Sequence, residues 1–461
     1  MKAAKKDCHP TIVVNQDGTD AQVALQDMFE HTTNRILEDE DVAEMITADS
    51  MAQADQGGLQ LKATVKIGFD GLSMLPMTKN QGANLGKDMW MLGSWFCFIQ
   101  LVGNVNGKDK PYYHNSLCLS EASCRPLRLW NVRETPETSQ EEYHRLLAEI
   151  AALLPLKWSN LVTIICQVKF SMVDQKLALE MVFITGTKRC PVCGLVHSEW
   201  KDTKQEDFEI NEFIIENLAI SITHFGINAW KHMINLGYRV TLGHYYIREE
   251  ELHIKIAQKT HIQDRFMEVG LMIDMVEPGK GSTLMDGNTA RSGFAMPDFA
   301  GEVFGFPPEI IKGFGDLWLA LKSPIRIPPA AFLAKAQELK RLYYEKLPWA
   351  IMPPTLHKVI DHGHLFLEKV PATMSLSMFS EENLEASHKT LRRDFLRHAR
   401  QFGRNLRLND IMERKINCGD PVILGPDLQA HHGRKDGDHK VPEWIKTAVA
   451  TGNAGDPMDL G

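Results

Sequence analysis

No run of 18 clean apolar residues occurs in the 461-residue chain, so a membrane-spanning helix is not expected. The nearest approach, Met89 to Val105, is interrupted by Gly93, Ser94 and Gln100 and reads as a buried strand. The lysines at the N-terminus are followed by no apolar stretch, so no secretory leader is expected. Cysteine is scarce: eight residues without a leader point to a reducing compartment, where metal binding is favoured over disulfides. No internal repeat is visible, and no Ser or Tyr motif of a covalent nucleophile stands out. Excess positive charge is also missing. The formal net charge of −8 argues against a nucleic-acid partner until it is mapped.

Mapping changes the picture. Residues 16–57 carry eleven acids against Arg35 alone, a net of −10, which leaves the rest of the chain near +2. Residues 388–415 hold nine Lys/Arg against three acids. Within them Lys389, Arg393, Arg397, Arg400 and Arg404 recur at spacings of three and four, one stripe if the segment is a single helix. Such a stripe would hold phosphates with salt-dependent affinity. A solvated helix face explains it too.

Three acids stand where acids are expensive. Asp70 closes the strand-like run Lys62–Phe69, Asp174 closes the apolar run Leu161–Val173, and Glu385 opens an arginine-rich helical stretch. Brought together unpaired, such carboxylates repel and cost several kcal/mol. A divalent cation neutralises them, and hard oxygen ligands favour magnesium or manganese. Two such ions about 3.5–4 Å apart serve in-line attack at phosphorus. Taken singly, each acid reads first as an ordinary strand end or helix start.

Cys190-Pro-Val-Cys193 has the bite for two corners of a tetrahedral zinc site, and His357 and His362 offer two imidazoles. The pairs lie 164 residues apart, so one zinc would fasten distant segments. His197 could instead complete a local site with the cysteines, and His364 rivals His362.

Residues 1–60 read as an acidic, weakly patterned arm. Residues 62–120 read as three strands, split at Thr78–Lys87 and Gly103–Lys110. A helix over Glu141–Leu154, capped at Ser139, precedes the Asp174 strand. This is the strand–strand–strand–helix–strand order of a ribonuclease-H-like fold, an α/β (α+β) class whose strand ends could converge Asp70 and Asp174. The core would span 61–185, a mostly helical zinc-stapled insertion 186–365, a catalytic helix with the basic stripe 366–424, and a flexible tail 425–461. Pro324, Pro328 and Pro329 mark a break inside the insertion. The tail's His431, His432 and His439 are assigned no function. His224 and His232 read as core-edge histidines, and Trp318 and Trp349 as structural rather than base-stacking.

The ordered motifs resemble those of the Transib transposases and of the catalytic core of the V(D)J recombinase. The likeness reaches local wording: Val65-Lys-Ile-Gly-Phe-Asp-Gly71, Cys124-Arg-Pro126, Asp286-Gly-Asn-Thr-Ala-Arg291, Leu347–Pro354 before His357, Ser380-Glu-Glu382 before Glu385, and Asp420-Pro-Val422. It covers roughly residues 62–424. The resemblance implies that Asp70, Asp174 and Glu385 bind two catalytic Mg²⁺ or Mn²⁺ ions. It implies one structural zinc on Cys190, Cys193, His357 and His362. It further implies DNA cutting at element ends, hairpin formation on flanking DNA, strand transfer of 3′ ends, a homodimer on paired ends and a nuclear location. Asn288 and Arg291 become candidate DNA contacts, although a capped turn explains that string equally. Two departures matter: no basic end-recognition region precedes residue 62, and the recombinase's extra cysteine pair in the insertion is missing. An accessory subunit could supply recognition. A domesticated relative that binds DNA without cutting is the alternative, and a zinc-stapled interaction scaffold a weaker third.

Overall fold

The computed structural model describes residues 10–73, 90–182, 184, 188–275, 286–400, 404–425 and 441–452. The chain forms two compact units, one of Met1–Phe183, Asn217–Ala219 and Met378–Gly437, the other of Ile184–Glu216, Ile220–Ser377 and Asp438–Gly461. The boundaries near 184 and 378 compare with the expected 186 and 366. The expected boundary at 366 falls inside the helix Pro354–Glu368. The class is mixed α/β.

The first unit is built on one curled eight-stranded sheet: β1 (Val13–Val14), β2 (Asp20–Gln22), β3 (Leu59–Ser73), β4 (Trp90–Val105), β5 (Lys108–His114), β6 (Arg125–Trp130), β7 (Leu156–Lys157) and β8 (Val162–Met172). Their order is β1-β2-β6-β4-β3-β8-β7, with β5 also on β4. β3 is central, antiparallel to β4 and parallel to β8. β3 and β4 are buried almost throughout, and β4 accordingly carries a near-continuous apolar run. Trp90–Val105, within the stretch expected to be a buried strand, forms one, and no helix among the described residues is long and apolar enough to cross a membrane. β4 and β5 join through Asn106-Gly107, both at positive φ (54° and 81°), the conformation a two-residue hairpin needs. Residues 78–87, the other expected split, lie outside the described residues.

Three expectations are corrected here. Residues 13–52 are not a loose arm: β1 and β2 extend the sheet beside β6, and the helices Leu25–Ile36 and Glu40–Ala52 bury Leu25, Met28, Phe29, Ile36 and Ile46. Enough apolar residues sit between the acids to make one face. The helix expected from Glu141 starts at Pro136, capped by Thr135 in a capping box with Thr138, while Ser139 lies buried inside it. Proline at the first helical position fixes that earlier start. In the tail, residues 443–452 form a helix with Ile445 fully buried, whereas His431, His432 and His439 lie outside the described residues.

The second unit is helical, as expected. Pro297, Pro308, Pro329 and Pro354 each open a helix, where the missing N–H costs nothing. Pro328 and Pro329 therefore separate Pro308–Lys322 from Pro329–Lys346. Trp230 packs edge-on against Phe266 and Phe294, and Trp318 edge-on against Phe294. Trp318 is buried in this core and Trp349 half-buried. His232 is buried with Nε2 2.7 Å from the Tyr343 hydroxyl, and His224 faces Ser221 at 2.9 Å.

Candidate metal centres

In the first unit, β3 carries Asp70 paired opposite Gly93, three residues before the strand ends rather than at its close. Asp174 follows β8 and caps the helix Gln175–Met181, accepting from the Leu177 amide through Oδ1 at 2.8 Å. Parallel pairing of Gly68 with Met172 sets the two aspartates at similar heights on neighbouring strands. Glu385 lies in the first turn of the helix Glu382–Arg397. Two hydrogen bonds tie β3 to that helix and to the residues just before it. Buried Lys66 Nζ donates to the Ser380 carbonyl at 2.7 Å, and Arg392 Nε donates to the Ser73 carbonyl at 3.0 Å.

Ligand atoms of Asp70, Glu385 and His388 all lie within 4.8 Å of one another. Asp174 does not join that group. It is nonetheless close enough to matter: burial first, then the like charges of Glu385, Asp174 and Glu134, hold the Asp70 carboxyl well above its usual range. The Gly71 amide opposes this by donating to Asp70 Oδ1 at 2.8 Å, and it also donates to Glu134 Oε2 at 3.0 Å. Glu134 is paired in turn with Lys176. Position 71 has room only for glycine, since a Cβ there would stand 2.4 Å from Glu134 Oε2 and 2.6 Å from its Cβ.

His388 and Glu134 were not anticipated. His388 carries a readable signal, three residues after Glu385 and hence on the same helix face. Its Nδ1 is 3.6 Å from Asp70 Oδ2, and burial, then the Arg392 cation, draws the imidazole down to about 4. Glu134 gave no signal, because only the sheet brings it to Gly71.

In the second unit, ligand atoms of Cys190, Cys193, His357 and His362 also lie within 4.8 Å of one another. Cys193 Sγ is 3.3 Å from His357 Nε2, which is 3.2 Å from His362 Nε2. His197 and His364 stay outside the group, so the long-range set is the one assembled rather than a local one. The Cys193 thiol is drawn well down by hydrogen bonding with Cys190, then with His357 and His362, whereas burial pushes Cys190 up. Asp361 Oδ2 accepts from His357 Nδ1 at 2.7 Å and Oδ1 from Lys340 at 2.7 Å, which turns Nε2 toward the cysteines. Trp200 stacks on the His357 ring at 4.2 Å. Two thiols and two imidazoles with an oriented ring suit a closed tetrahedral metal site.

The expected basic stripe is only partly continuous. Lys389, Arg393 and Arg397 share an exposed face of the helix Glu382–Arg397. The helix stops there, and Arg400 Nη2 closes on Asp410 Oδ1 at 2.6 Å, with Nε also on that carboxylate. Arg404 begins a separate helix, Arg404–Cys418. The end of the helix at Arg397, not visible in the residue spacing, is the reason. In the second unit Asp286 caps the helix Gly287–Phe294, and Asn288 Oδ1 accepts from Arg291 at 3.2 Å, both side chains exposed.

Compared with known proteins, the chain matches no protein-family model, and no curated protein matches it either.

Proposed function

We propose that this chain is a Transib-type transposase or recombinase, cutting DNA at element ends and joining 3′ ends by two-metal phosphoryl transfer. The observation that carries the proposal is the convergence of Asp70 and Glu385, far apart in sequence, into one ligand-sized group beside Asp174. A ribonuclease-H-like core is supported by the central β3, its antiparallel β4 and parallel β8, and the helix Pro136–Ala151 between β6 and β8. The helical second unit between Asp174 and Glu385 fits an insertion.

Asp70 and Glu385 would hold one ion between them. Asp174 keeps Oδ1 on the Leu177 amide and offers Oδ2. Bound Mg²⁺ or Mn²⁺ would supply an activated water or 3′-hydroxyl and charge relief at the leaving oxygen. Lys66 and Arg392 fix the helix that brings Glu385 to β3. Lys389, Arg393 and Arg397 offer phosphate contacts, and Asn288 and Arg291 further DNA contacts. Cys190, Cys193, His357 and His362 would hold a structural zinc. A homodimer, an accessory subunit and a nuclear location belong to the same proposal.

Cleavage and joining on end-labelled DNA carrying element termini, with Mg²⁺ or Mn²⁺ and Glu385→Gln as control, tests it. Nicks, hairpins or joined products from wild type alone are expected. Binding without products from either protein would favour a domesticated DNA binder, with the exposed Lys389, Arg393 and Arg397 as its phosphate contacts.

A further inference from the structure

We infer that His388 is a direct nitrogen ligand of the ion held by Asp70 and Glu385, so that this position takes Mn²⁺ in preference to Mg²⁺. The inference rests on the proposed metal-dependent function and specifies the coordination at its site. Glu385 and His388 are three residues apart on one helix, so both reach the same side of it. The His388 side chain is only 9% exposed, and its Nε2 has no hydrogen-bond partner among the described residues. Nδ1, the nitrogen facing Asp70, stands 3.6 Å from Asp70 Oδ2, too far for a hydrogen bond, and is the donor assigned to the ion. That distance is close to the separation of two ligands on one ion: donors about 2.1 Å from a shared metal stand roughly 3.0–3.5 Å apart. Asp70, Glu385 and His388 together make an oxygen–oxygen–nitrogen set, with Asp174 available beside it. Imidazole adds affinity for first-row transition ions, whereas Mg²⁺ holds to oxygen ligands and its own waters.

The full zinc-loaded chain is titrated with Mn²⁺ and Mg²⁺, free Mn²⁺ being read by electron paramagnetic resonance, in wild type, His388→Asn and Asp70→Asn. Wild type is expected to bind Mn²⁺ at least tenfold tighter than Mg²⁺. His388→Asn should lose at least tenfold in Mn²⁺ affinity and less than threefold in Mg²⁺ affinity. Electron spin-echo modulation on wild type, which needs no variant to fold, should show a coordinated ¹⁴N at the bound Mn²⁺. Mn²⁺ bound in an Asp70-dependent way without ¹⁴N coupling would overturn the His388 ligand and leave the carboxylate site standing. No Asp70-dependent Mn²⁺ or Mg²⁺ binding in wild type would overturn both the ligand and the proposed metal chemistry.

Discussion

Replacing Asp70 by Asn should stabilise the first unit when no divalent ion is present and should cost it stabilisation when one is. Asp70 and Glu385 have carboxylate oxygens within 4.8 Å. Like charges at that distance repel by about 3.5 kcal/mol at an effective dielectric of about 20. Solvent reaching Glu385 reduces this, so about 1–3 kcal/mol is expected from Asp70→Asn in metal-free buffer at pH 7.5. For a unit of roughly 250 residues, that raises the melting temperature by about 2–12 °C. The pH dependence has a definite sign. The Asp70 carboxyl is raised in the folded state, so the folded protein binds more protons than the unfolded one above the ordinary aspartate range. Stability attributable to Asp70 is therefore greatest at low pH and falls as pH rises toward the raised folded value. The advantage of Asp70→Asn should shrink as pH is lowered toward 4. Saturating Mn²⁺ should reverse the order, because wild type gains by mass action what the variant cannot bind. Scanning calorimetry with and without Mn²⁺ measures all of this. Equal destabilisation by Asp70→Asn in both buffers would mean that Asp70 is a structural hydrogen-bonding residue and would refute the electrostatic reasoning.

The thiol–imidazole cluster gives a contrast. Asp361→Asn, which loses the orienting partner of His357, should weaken metal affinity about 10–100-fold, read by competition with a chromophoric chelator. Cys190→Ser should abolish stoichiometric zinc and lower the melting temperature of the second unit, whereas Asp174→Ala should leave zinc content unchanged by elemental analysis. In DNA-binding titrations, removing Lys389, Arg393 and Arg397 together should reduce the salt slope by about 2–3, while Arg400→Ala, already paired with Asp410, should reduce it by less than 1. Gly71→Ala should cost about 1–3 kcal/mol in a melt by forcing Glu134 aside, and a neutral outcome would mean that this carboxylate is not fixed there.

Residue order and type alone determined the buried strand at Trp90–Val105, the break at Pro328 and Pro329, and the candidate ligand types. Those features are local: an apolar run reports burial, paired prolines report a break, and Cys-x-x-Cys reports a bite. Charge counting, by contrast, misjudged residues 13–52, because a segment's net charge says nothing of the apolar face between its acids. Spacing also carried the basic stripe past Arg397, since a helical period cannot show where the chain stops obeying it. The choice of His357 and His362 over His197 and His364 needed the fold. So did the company that Asp70 keeps: Glu385 and His388 arrive on a helix more than three hundred residues later, and Glu134 from beyond the neighbouring strands. Such a meeting depends on which strands pair and in which register. Backbone hydrogen bonding and core packing across the whole sheet decide that, and no short stretch of sequence contains it.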